Sequence, residues 1–409
     1  MAGLQRALLG DRIHPGLGWV LTTVGANFAA FTALMVYAGP WLVQTQHASL
    51  GLVSTTLTVG GLLGMVVALI AGQAVHSADR RRLIVATATA QTAAAIILVL
   101  PVSRLLTIVA LIAAAGVQPL RGVAQRTLIA DAGAGEKGFA DFRLAIYVGS
   151  FAGPAVAGVL AGVGWPELRI GVAGMYAVSL ASALRLPRGH DRVPEGPSAP
   201  VADILRDRRL WLLLACSGAA WTVMYMFETV LPTLAVGPNG ISIRNWGILY
   251  SLGPLYVLVA QLRFQRWLRS APVWLRLSGG LLMMGVPFLL FTWRLSVPTV
   301  IVFLPVFLTG DMIWGPASDD LVARAAPPQR TGVYFGVATA TMWAGSALAP
   351  AVGLPIAQSF GNSALWLATM LLALLSAGIY IRAAMWVRPA GTRTITSATD
   401  IQAASLPDQ

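Results

Sequence analysis

The chain has 409 residues, of which 56% are hydrophobic and only 11% charged, and its mean hydropathy is +0.72. A soluble domain of this length cannot hide so much apolar side chain, because a large share of any globular surface stays outside the core. The formal net charge of +12 raises nucleic acid as a partner, but the placement of the basic residues argues against it.

Runs of about 20 apolar residues recur from end to end, each long enough to cross a ~30 Å hydrocarbon layer. The fold class read from this is an all-α membrane protein lying in a lipid bilayer. Twelve spans are predicted, at 16–43, 49–75, 83–102, 105–129, 139–163, 168–186, 210–236, 244–262, 273–293, 297–322, 331–356 and 362–386. The first follows "MAGLQRALLGDRIHPG" with no small-residue cleavage site before the next span, so it reads as a retained helix rather than a signal peptide. The alternating loops that start with the N-terminus carry 18 Lys and Arg residues, whereas the opposite loops carry two, Arg104 and Arg294. That asymmetry is the positive-inside pattern and predicts both termini in the cytoplasm. The charge reports topology, not a partner.

Along the chain, the first span carries Asn27. Between spans two and three lies "AGQAVHSADRRRLI" (Ala71 to Ile84), with Gly72, His76, Asp79, Arg80 and Arg81. On residue types alone this is a solvated basic cluster that anchors topology. Span four holds Gln118 and Arg121. The arginine sits roughly eight residues, or about 12 Å, inside the span, so snorkelling is hard and a partner or a wet cavity is expected. Span five contains "GSFAGPAVAG", which puts Gly149, Gly153 and Gly158 near one face for close helix approach, with Pro154 permitting a bend.

Residues 187–209, rich in Pro, Gly and charge, read as a cytoplasmic linker between an N-terminal six-helix bundle (1–186) and a C-terminal one (210–388). Its end, "VADILRDRR", reads as a short surface helix, and the tail 389–409 as disordered. The halves share a weak pattern: "QPLRGVAQRTLIADAG" leads to "GSFAGPAVAG", and "GPASDDLVARAAPPQR" leads to "GSALAPAVG". Two repeats with a pathway between them are what this implies.

Five acids fall inside the predicted spans. Asp141, Asp319 and Asp320 lie near cytoplasmic ends, where solvent, Arg143 or Arg324 can balance them. Glu228, in "VMYMFETVLPTLAV", and Asp311, in "PVFLTGDMIWGPAS", are deep. Low dielectric disfavours a charged carboxylate, so such a group can alternate between holding a proton and holding a cationic solute. The bland alternative is a protonated acid kept for packing. Trp221, Tyr225, Trp314 and Trp343 lie near these acids or in span eleven. With Asn27 and Gln118 they suggest an aromatic cavity with few polar groups, suited to hydrophobic or amphipathic small molecules.

These features resemble the major facilitator superfamily, specifically its twelve-helix drug:proton antiporter branch. "GSFAGPAVAG" looks like that branch's antiporter motif. Gly72, Arg80 and Arg81 resemble the superfamily's loop of a turn glycine and a basic pair, but His76 and Ser77 stand where the family has Asp-Arg. In the family that Asp helps latch the cytoplasmic side; Asp79 can substitute here, or His76 can make the latch pH-sensitive. Arg121 resembles the helix-4 arginine that the family implicates in proton coupling. The resemblance implies a proton-coupled exporter, with Arg121 in coupling and Gly72, His76, Asp79, Arg80, Arg81, Gly149, Gly153, Pro154 and Gly158 in gating. Glu228 and Asp311, read as coupling acids from their depth, suit that role, and a monomer without a cofactor is expected. A strong bias of Arg over Lys (27 to one) suggests a GC-rich bacterial host, hence the bacterial inner membrane.

Other classes lack their chemistry. The sequence has no GxxxxGK loop followed by Ser or Thr, no HExxH among its four histidines, and only one cysteine, Cys216, which allows neither an internal disulfide nor a cysteine metal site. An enzyme is therefore not expected. An importer, or a receptor on the same scaffold, remains the alternative, and solute flux separates transporter from receptor.

Overall fold

A computed structural model describes residues 15–131, 135–187, 208–236, 240–268, 271–325 and 331–386. The linker between Pro187 and Arg208 and the tail beyond Trp386 lie outside the described residues, as does the short helix expected over "VADILRDRR" except for Arg208 and Arg209, which begin α8.

Apart from an isolated bridge between Val236 and Ile241, the described residues form helices joined by short connections. In order these are α1 (Pro15–Thr45), α2 (Leu50–Ser77), α3 (Arg80–Val99), α4 (Arg104–Gly116), α5 (Gln118–Asp131), α6 (Gly135–Ala161), α7 (Trp165–Leu184) and α8 (Arg208–Tyr225). A π-helical turn (Met226–Val230) leads into α9 (Leu231–Ala235) and then α10 (Ile243–Leu268). After α11 (Val273–Gly285), a 3-10 turn (Val286–Leu289) leads to α12 (Leu290–Trp293). The chain closes with α13 (Val297–Ala325), α14 (Thr331–Phe360) and α15 (Asn362–Trp386).

Among the described residues eleven helical stretches are long and apolar enough to cross a membrane. The predicted eighth span is helical as α10, but it is not one of these eleven; Arg244, Asn245, Arg263 and Arg266 sit towards its two ends.

Capping residues set several starts. The Ser49 and Ser103 hydroxyls accept from the Leu52 and Leu106 amides, and the Asp79 carboxylate accepts from those of Arg81 and Arg82. Gly361, at φ +84°, makes the tight reversal between α14 and α15, a backbone state that suits glycine.

Prolines explain where the structure departs from simple spans. The predicted span 105–129 is two helices, broken at Val117, because Pro119 cannot donate back into the preceding turn. The predicted span 210–236 is interrupted by the π-turn ahead of Pro232, and span 273–293 by the 3-10 turn that contains Pro287. Gly72 is a further correction: it lies inside α2, which continues to Ser77, so it is not a turn glycine.

The most extensive contacts between the first six predicted spans and the last six are α2 against α14 and α6 against α10, and α1 also packs on the π-turn and α9. The first two rely on missing side chains. A Cβ on Gly61 or Gly64 would collide with Ala347 or the Trp343 ring, and one on Gly158 would sit 2.9 Å from the Gly247 Cα. Ser54 donates to the Pro350 carbonyl at 2.7 Å, reinforcing the first contact. Within the first half, a Cβ on Gly149 or Gly153 would strike the backbone carbonyl of Gly25 or Ala29 in α1. Backbone cannot give way as a side chain can. Gly153→Val is therefore expected to lower stability by about 1–3 kcal/mol or more, read as a lower melting temperature of the purified protein.

Candidate functional site

Two polar clusters interrupt the apolar interior. The first is built around Arg121, one turn into α5. Its side chain is fully buried, so it does not snorkel. One guanidinium nitrogen donates to Gln91 Oε1 of α3 at 2.6 Å; another donates to Thr23 Oγ1 of α1 at 3.1 Å and to the Ser179 hydroxyl of α7. Gln91 passes the network on, donating to Gln118 Oε1 at 2.8 Å and to the Ala114 carbonyl at 3.3 Å. That carbonyl lies beside the break in the helix caused by Pro119. Asn27 also donates to Gln118 Oε1, at 3.1 Å. Asn27 and Gln118, predicted as polar contacts for a solute, thus bond each other and are both buried. Among the described residues no carboxylate lies within ion-pair distance of Arg121. Among the described residues its charge is held by neutral dipoles.

The second cluster surrounds Glu228. The π-turn is the local reason for its placement: Pro232, four residues on, cannot donate to the Glu228 carbonyl, and the wider turn spreads the chain there. The Tyr250 hydroxyl of α10 and Asp311 of α13 both lie close enough to act on the Glu228 carboxyl group. Tyr225, one turn earlier, lies near Ser346 of α14. Glu228, Tyr225, Asp311 and Ser346 are all half-buried, unlike the fully buried Arg121.

Aromatic rings wall the second cluster. Phe227 stacks on Tyr250 with centroids 5.3 Å apart, and Trp221 meets Trp314 edge-on at 5.3 Å. Trp221 and Tyr225 are half-buried, whereas Trp314 and Trp343 belong to the packed interior, Trp343 against Phe31 at 6.1 Å.

At the arginine-rich end, Arg143 of α6 pairs with Asp319 of α13 at 3.5 Å, one of the pairings the sequence suggested. Arg126 is exposed, and its charge acts on the same two residues. Near α3, Asp79 caps the helix and pairs with Arg82 at 3.4 Å, while Arg81 donates to the Leu186 and Leu184 carbonyls that end α7. Arg80 is buried. The side chains of Gly72's neighbour Gln73, His76, Asp320 and Arg324 lie outside the described residues. Asp79→Ala removes a cap and is expected to cost about 1 kcal/mol, seen as a small drop in melting temperature.

Gln91, Thr23, Ser179, Tyr250 and Ser346 were not singled out in the sequence. Gln91 leaves a trace, as the only amide side chain in the run "ATATAQTAAAII"; a lone Ser, Thr or Tyr in a span leaves none.

Helices of spanning length, packed across two halves around polar clusters, define the class of a polytopic membrane transporter. The chain belongs to the Major Facilitator Superfamily, whose family model matches residues 20–350. No curated protein sequence matches it. Among solved structures it is similar to a mutant of the peptide transporter POT, with a TM-score of 0.77 at 13% identity, over 94% of this chain and 99% of that one. It is also similar to the nucleoside transporter NupG, with a TM-score of 0.74 at 11% identity, over 90% of this chain and 99% of that one. At such identities the likeness shows the fold.

Proposed function

We propose that the protein is a proton-coupled secondary transporter that exports a hydrophobic or amphipathic small molecule by alternating access. Two six-helix bundles, 1–186 and 210–388, rock about the cleft while the linker 187–209 holds them together, and α10 serves as the twelfth crossing. The arginine-rich end faces the cytoplasm of a bacterial inner membrane, and the monomer is the working unit.

The observation that carries this reading is the pair of acids, Glu228 and Asp311, half-buried behind an aromatic wall. An acid facing a cleft can take up a proton from one side and give way to solute from the other, which is the simplest exchange between the two. The glycine seams at Gly149, Gly153 and Gly158 support a gating role for α6, with Pro154 as its bend. Import of a small metabolite is the second reading, favoured by the fold-level likeness to peptide and nucleoside transporters.

Direction is tested with ethidium as a lipophilic cationic probe in membrane vesicles of both orientations. Export predicts proton-driven accumulation in inverted vesicles only. Accumulation in right-side-out vesicles under an inward proton gradient would establish import instead.

A further inference from the structure

On α13, Asp311, Gly315 and Asp319 are spaced four and four residues apart and so share one face of the helix. The two carboxylates are eight residues, or about 12 Å, apart along the axis. Asp311 lies within reach of the Glu228 carboxyl group, and Asp319 pairs with Arg143 of the other half and lies near Arg126, so this face runs from the acid cluster to the arginine-rich end. The middle position has no side chain. A Cβ built on Gly315 would meet nothing closer than Asp311 Oδ1 at 4.0 Å, so open space lies between the acids. Accessibility grows along the line: Asp311 is half-buried, and the Asp319 side chain is 61% exposed.

We propose that this face is a hydrated groove through which protons pass between Asp311 and water at the arginine-rich end, with Asp319 as the relay. The step balances within the chain. The Asp311 carboxyl gives up its proton, a short water chain over Gly315 carries it to the Asp319 carboxylate, and Asp319 passes it to bulk water. Arg143 and Arg126 are the cations that face Asp319. Because Arg143 belongs to α6 and Asp319 to α13, the relay stands at a point where the two halves meet. The inference rests on the reading that Glu228 and Asp311 carry protons.

The test follows the carbonyl infrared band of the protonated buried acid after a pH jump, using full-length protein in liposomes. Asp311→Asn first assigns the band. Asp319→Asn is expected to slow its loss on the order of 10²-fold, the low end of what a positioned proton-transfer group contributes. Asp319→Glu is expected to restore the rate, and Gly315→Leu, which leaves both carboxyl groups in the chain, to slow it likewise by filling the groove. An unchanged rate in Asp319→Asn would overturn the relay. So would a normal rate in the exchanged pair Arg143→Asp with Asp319→Arg, which keeps the ion pair and removes the carboxylate from its place. A band unaffected by Asp311→Asn would remove the underlying reading of Asp311, and the route with it.

Discussion

Glu228→Gln is expected to leave the protein folded and able to exchange solute down its gradient, while abolishing uphill transport. Glutamine keeps the size of the side chain and its ability to accept a hydrogen bond, so the π-turn and its aromatic wall have no reason to collapse. What it loses is the ability to alternate between a neutral and a charged form. Each proton moving inward contributes ~2.3 kcal/mol per 100 mV of membrane potential, enough to concentrate a neutral solute roughly fifty-fold. A variant that cannot carry the proton is expected to lose that whole factor, measured as the steady-state ratio of solute across a vesicle membrane.

Arg121→Met is expected to separate stability from transport. A buried cation pays a desolvation cost, and around Arg121 only Gln91, Thr23 and Ser179 offset it, with no carboxylate within reach among the described residues. Replacing a buried charge by an apolar side chain of similar volume is often neutral, or stabilising by about 1–4 kcal/mol. Thr23 and Ser179 also retain each other, through bonds of 2.9 Å and 2.7 Å to one another's backbone carbonyls. The melting temperature is therefore expected to hold or rise. Proton-coupled transport is expected to fall at least tenfold, as removal of a positioned group in a proton-transfer path typically costs ~10²-fold or more. Unchanged transport would reduce Arg121 to a packing residue, whereas a collapse in melting temperature would show that its hydrogen bonds hold α1, α3, α5 and α7 together.

The helical architecture was legible because apolar run length is a one-dimensional signal, as was the close approach at Gly149 and Gly153, where small residues repeat along one face. The interruptions were legible in principle. Pro119 and Pro232 mark the break at Val117 and the π-turn at Glu228, but proline alone does not say whether a helix bends, breaks or widens. The partners of Arg121 could not be read. Gln91 and Ser179 lie 30 and 58 residues from it along the chain, and their meeting depends on how four helices pack. Depth in the sequence separated Arg121 from the exposed Arg126, yet it could not separate the accessible Tyr225 from the packed Trp314 and Trp343.

The central claim, that a proton crosses by way of Glu228 in exchange for solute, is tested most directly in inverted membrane vesicles that carry a pH-sensitive dye. Lipophilic cations and neutral hydrophobic compounds are added to wild type and to Glu228→Gln at matched protein levels. Solute-dependent collapse of the pH gradient in wild type, and none in the variant, is the predicted result. Equal collapse in both would contradict it and move coupling away from Glu228.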